Sequence, residues 1–193
     1  MDEFILYSTL GFKHVLDLTA YDHLLFLIVL VVIFNFYQWK KVLWLITFFT
    51  IGHSISLGLA AYGVVNIRLD IVEFLIPITI LITGIFNLIN SNKSPEGKDK
   101  ITLFFALFFG LIHGLGFSNY FRSMIGKEED KFFPLVEFAL GIEAAQIIIV
   151  FCILTIGMLL QSLLKVSRKD WILVTSAIVI WEVIPMIYNR IFW

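Results

Sequence analysis

The sequence predicts an all-α protein: a polytopic transmembrane helix bundle with six spans plus an N-terminal interfacial or partly inserted helix. Three observations predict it. Of the 193 residues, 60% are hydrophobic and only 15% are charged, whereas a soluble domain carries about one quarter charged residues. The mean hydropathy is +0.94. Six apolar runs are long enough to cross about 30 Å of hydrocarbon, and polar residues punctuate the gaps between them.

In chain order, residues 4–19 are moderately apolar but interrupted by Lys13, His14 and Asp17, which suits a helix at the interface or partly inserted. The spans follow at about 21–37, 42–62, 71–90, 101–121, 135–164 and 171–192, and the whole chain, 1–193, reads as a single integral membrane domain. Lys40 and Lys41 separate the first two spans; Arg68 and Asp70 separate the next pair. The stretch 91–100 combines Ser, Asn, Pro and Gly and predicts a solvated loop. Arg122 to Lys131 and Lys165 to Asp170 mark the last two breaks. Tyr37, Trp39, Tyr62, Trp171 and Trp193 sit at segment ends, as in an aromatic belt.

Composition excludes several classes. Net charge is −1 and no Lys/Arg run exists, so no nucleic acid is expected as a partner. The single cysteine, Cys152, excludes an intramolecular disulfide framework and a cysteine-rich zinc site. Met1-Asp2-Glu3 is acidic where a signal peptide would be basic, so no cleavage is expected. Phosphate-binding, dinucleotide-binding and nucleophile-elbow motifs are absent, and no internal repeat suggests an inverted-repeat transporter. Lys and Arg divide eight to six between the two sets of connections. That favours both termini outside, in what would be a bacterial inner membrane.

The ionisable residues in apolar surroundings carry the functional argument. They are His14, His23, His53 and His113 with Asp17, Asp22, Glu73, Glu143 and Glu182, and Lys13 is the one comparably placed base. A charge in hydrocarbon costs roughly 2.5–3.5 kcal/mol even on lenient scales. Acids without basic partners need a proton or a cation. Neutral imidazole with carboxylate suits divalent transition metals such as nickel, cobalt or zinc. At about 1.5 Å per helical residue, His53 and His113 lie roughly 18 and 20 Å from one face, and Glu143 roughly 12 Å from the other. Asp22, His23 and Glu73 fall one or two turns further out, so a cluster in the outer half of the bilayer is expected.

Each motif also has a plainer reading. His14 and Asp17 are three apart and share a helical face. Asp22 and His23 are adjacent, and both serve one site only at a helix start or break; Asp22 is equally a helix cap. Gly52, Ser56 and Ala60 form a small-residue stripe beside His53, and Ala106, Gly110 and Gly114 form another beside His113. Both histidines suit helix packing alone as well as a ligand role. Glu143 and Gln146 share a face of the fifth span, where a protonated, hydrogen-bonded carboxyl is the plainer reading. Glu73 suits a helix N-terminus, and Glu182 stands alone in the last span, open to a proton-relay, inter-helix or supporting role.

Four motifs stand in register: His14 with Asp22-His23-Leu-Leu-Phe, Gly52-His53-Ser54, His113-Gly114-Leu-Gly116-Phe117, and Gly141-Ile-Glu143-Ala-Ala-Gln146. Together they resemble the shorter, widespread branch of the HupE/UreJ membrane protein family, over about residues 10–190. The resemblance implies a nickel or cobalt permease, with Asp22, His23, His113 and Glu143 as metal-binding positions. The better-studied branch has a histidine six residues before its aspartate, where this chain has Leu16, and a second His-Gly in its fourth motif, so the resemblance leaves the metal open.

Three functions follow. The first is a permease or metal-binding membrane protein in which His14, Asp22, His23, His53, His113 and Glu143 hold a divalent ion. Asp17, Glu73, Gln146 and Glu182 then support the site or line its mouth, and ligands without thiolate release the ion readily. The second is an intramembrane metal-dependent hydrolase acting on a lipid or lipid-linked substrate. Three ligands and an activated water suffice for that, with Glu143 and Ser54 as candidate catalytic groups; in residue types alone the set resembles alkaline ceramidase-like hydrolases. The third is a membrane scaffold or assembly subunit. Lipid and a metal ion are the expected partners, and a homo-oligomer or an accessory membrane protein is compatible with any of the three.

Overall fold

The computed structural model describes residues 3–17, 19–92, 99–125 and 130–193. Among them it contains seven α-helices and no strand: α1 Glu3–Val15, α2 Asp22–Val31, α3 Trp39–Ala61, α4 Leu69–Asn90, α5 Asp99–Ile125, α6 Phe132–Leu163 and α7 Arg168–Asn189. A 3-10 turn, Phe36–Gln38, leads into α3. Most of the expected loop at 91–100 lies outside the described residues.

Five helices, α3 to α7, are long and apolar enough to cross a membrane. The first expected span is different. In place of a continuous helix over 21–37 there is α2, ten residues long, followed by irregular chain and the 3-10 turn. A count of six full spans therefore does not carry over. Eight of the ten α2 residues are buried, so this short helix runs inside the bundle. A helix that stops inside an apolar bundle leaves carbonyls without partners. Here Asn87 of α4 donates to the Val29 carbonyl at 2.6 Å, and Arg168 of α7 donates to the Ile33 carbonyl at 2.8 Å. Those two side chains let the chain break where apolarity alone predicts a full span.

Two seams of small residues set the helix contacts. The Gly52 stripe and the Gly110–Gly114 stripe meet each other. A methyl at Gly52 would collide with the Leu107 carbonyl, and one at Gly114 with the His53 carbonyl and the Ser56 hydroxyl. Gly110 lies against Phe49 and His53, and Gly114 one turn further along against His53 and Ser56, so α3 and α5 run parallel. The second seam joins α1 to α6. Gly11 lies against Phe138, and Gly141 against Ser8, so these helices run antiparallel. That packing holds α1 along the side of α6.

The ends where α1, α3, α5 and α7 finish and α2, α4 and α6 begin share one face of the bundle. Below that face the core is dominated by Phe26, Phe49, Phe109, Phe121 and Phe138, all buried.

Candidate metal centre

Four helices deliver one histidine each to a common point near that face. His14 stands in the last turn of α1 and His23 in the first turn of α2; His53 lies within α3 and His113 within α5. One ring nitrogen from each of His14, His23 and His53 comes within 4.8 Å of the others. The ring centroids of His14 and His23 are 4.6 Å apart, and that of His113 is 5.4 Å from His23. The parallel α3–α5 seam sets His53 and His113 at the same level of the bundle, because each sits beside a glycine that lets the backbones close up.

The hydrogen bonds around the rings leave nitrogen lone pairs facing inward. His113 Nδ1 lies 2.8 Å from the Phe109 carbonyl, which makes Nδ1 the donor and Nε2 the free acceptor. His23 Nδ1 lies 3.1 Å from Asp22 Oδ1, the carboxylate–histidine arrangement that orients metal ligands. His14 Nε2, His23 Nε2, His113 Nε2 and both nitrogens of His53 are buried without a hydrogen-bond partner. Each such orphan costs about 1–3 kcal/mol in a finished structure. One nitrogen from each of His14, His23 and His53 at one point fits a ligand set for a metal ion, because a cation would satisfy several orphans at once.

Above the histidines a cleft of about 490 Å³ opens at the face of the bundle. Lys13, His14, Asp17, Asp22, His23, Glu73, His113 and Arg190 all contribute to its lining. Asp17 is in the exposed connection after α1, where the Thr19 hydroxyl and amide donate to it and hold its carboxyl below the usual range. Glu73 is exposed on the opening turns of α4. These two acids therefore stand at the mouth rather than in the histidine cluster.

Directly beneath the histidines lies a phenylalanine layer. Phe26 follows His23 by one turn of α2, Phe49 precedes His53 by one turn of α3, and Phe109 precedes His113 by one turn of α5. Because α2 runs opposite to α3 and α5, all three rings fall on the same side of their histidines. Phe26 stacks on Phe49 at 4.8 Å and meets Phe109 edge-on at 5.8 Å. Phe26 and Phe49 are fully buried. The site is open on one side and closed by aromatic rings on the other.

The remaining expected residues lie elsewhere. Glu143 is not among the converging nitrogens' partners: Thr47 of α3 donates to its Oε1 at 2.6 Å. Thr50 donates to Gln146 Oε1 at 2.9 Å. Thr50 and Thr47 are one and two turns below His53 on α3, so this polar pair continues inward from the cluster by roughly 9 Å. Glu143 Oε2 and Gln146 Nε2 are buried without partners. Glu182 is on the exposed side of α7 and is not among the residues that line the cleft. Ser54, one residue from His53, also stays outside the cleft lining. Sequence reasoning passed over Arg190 and the phenylalanine layer. A single arginine after an apolar run reads as a flanking charge, and phenylalanine one turn from histidine carries no signal until the helix directions are known.

Fold and site together define a protein that is helical among the described residues, with five helices long and apolar enough to cross a membrane and a buried histidine cluster able to hold a metal ion. The chain belongs to the HupE/UreJ family: the family model described as "HupE / UreJ protein" matches residues 1–190. No curated protein matches it, and no solved structure does.

Proposed function

We propose that this protein binds a divalent transition-metal ion, nickel- or cobalt-like, and carries it across the membrane through the histidine site. The observation that carries the reading is the convergence of His14, His23 and His53 with their free nitrogens buried and facing one point. His113 completes the set from α5, and Asp22 orients His23. Imidazole ligands without thiolate bind first-row metals well enough to select them and weakly enough to let them go. Asp17 and Glu73 draw cations to the mouth, which is the outward side in this reading. Passage requires the layer of Phe26, Phe49 and Phe109 to part, after which Glu143 and Gln146 offer the next oxygens along α3 and α6. The family resemblance supports the same cargo.

The hydrolase alternative finds less support, because Glu143 is committed to Thr47 and neither it nor Ser54 lines the cleft.

Metal analysis of the purified chain after dialysis against nickel, cobalt or zinc tests the reading. About one ion per chain is expected, with loss in H23A and H53A. Retention of metal in both variants, or no metal in the wild type, would overturn it. Uptake by proteoliposomes then separates transport from binding alone.

A further inference from the structure

Arg190 directly follows α7, and its side chain reaches back over the histidine cleft. Nη1 and Nη2 each lie 3.5 Å from Asp22 Oδ2, and Nη1 donates to the Glu73 carbonyl at 3.2 Å. Asp22 thus has one oxygen on His23 and the other on Arg190. The Asp22 side chain is only 9% exposed and that of Arg190 26%. A carboxylate this enclosed needs a counter-charge, and Arg190 is the cation the chain itself supplies. Lys13, Asp17 and Glu73 line the same cleft without a contact to Asp22 of this kind.

We infer that Arg190 is a tethered counter-cation that holds the place of the metal at Asp22 and is displaced when a divalent ion binds. This rests on the metal-binding reading above and adds a regulating residue to that site. A divalent ion on the histidines and a guanidinium on Asp22 repel each other across a poorly solvated gap. The exchange trades a single positive charge for a double one. A monovalent ion brings no surplus charge and cannot evict a cation that is covalently attached to the site. Arg190 therefore raises the threshold for occupancy and selects divalent over monovalent cations.

The test is a zinc and nickel titration of the full chain in detergent, comparing wild type, R190K and R190Q. R190Q is expected to bind each metal on the order of tenfold more tightly, the effect of removing one like charge at this range, while R190K stays close to wild type. Unchanged or weaker binding in R190Q overturns the inference; weaker binding would make Arg190 a residue that positions Asp22.

A second measurement works on the native chain and does not depend on how R190Q folds. Trp193, three residues on, packs edge-on against Phe74 at 5.1 Å. Displacing Arg190 moves this segment, so diamagnetic zinc should change the part of the tryptophan emission that W193F lacks. A zinc-bound wild type with no such change overturns the inference while leaving metal binding intact. A wild type that binds no metal overturns both readings.

Discussion

Asp22 and His23 are consecutive residues, yet Asp22 Oδ1 lies 3.1 Å from His23 Nδ1. Neighbours on a helix normally diverge by about 100°. The contact forms because α2 begins at Asp22, so the carboxylate is free to turn toward the ring and also accepts the His23 amide at 2.9 Å. The aspartate takes the His23 amide and aims the imidazole with the same oxygen.

Replacing that carboxylate separates the two roles. D22N keeps an oxygen to accept the His23 amide but loses the charge that orients and polarises His23. Metal affinity is expected to fall about 10–100-fold, the usual cost of losing a supporting carboxylate, with little change in the thermal midpoint in detergent. Titration of D22N against wild type checks this; unchanged affinity would remove Asp22 from the site.

Metal binding should be steeply dependent on pH. A ligating imidazole must be neutral, and imidazoles ordinarily titrate near 6.5. Protons compete with the ion, so affinity is full at higher pH and is lost as pH falls. With several histidines at one point, the loss is expected to exceed about tenfold per unit once the ligands begin to take up protons. Isothermal titration from neutral to acid pH gives the slope, and affinity that persists until the protein unfolds would mean the histidines are not the ligands.

The α3–α5 seam should tolerate no added bulk. G114V places a branched side chain against the His53 carbonyl and the Ser56 hydroxyl. Overpacking of this kind costs about 1–3 kcal/mol, and the backbone shift also moves His53 away from His113. The expected result is a lower melting temperature together with weakened metal binding. G63A is the control, because Gly63 has nothing near its missing side chain, although its positive φ adds a small local strain.

The phenylalanine layer should behave as a barrier. F49A removes a fully buried ring stacked on Phe26. A truncation like this costs about 3–5 kcal/mol in a packed core, and the opened path should raise passive ion leak through proteoliposomes. L159A, on an exposed position of α6, should leave the leak unchanged. Equal leak in F49A and wild type would place the barrier elsewhere.

Much of the fold was legible in the residue order. The ends of α3 to α7 fall within a few residues of the expected spans, because apolar length and charged punctuation are local properties. The first span was the exception. Residues 21–37 are apolar enough to cross, but whether the helix persists depends on Asn87 and Arg168, which take the carbonyls of Val29 and Ile33 from distant helices. The site was half legible. His14, His23, His53 and His113 stood out as imidazoles in apolar surroundings, and the geometry brings them together. Glu143 shared their expected depth but is bonded to Thr47, a turn or more below the cluster, and Glu182 turns away on α7.

Composition and periodicity by themselves determined the long apolar helices and the imidazoles and carboxylates within and beside them, since hydropathy and charge are read along the chain. Which of those groups face one another was decided only by tertiary structure. Depth fixes a residue's position along the helix axis, while rotation about the axis and the choice of neighbouring helix come from packing. Here the glycine seams of α3 with α5 and of α1 with α6 supply part of that choice: they set the His53 backbone against Gly114, next to His113, and hold the helix of His14 on α6.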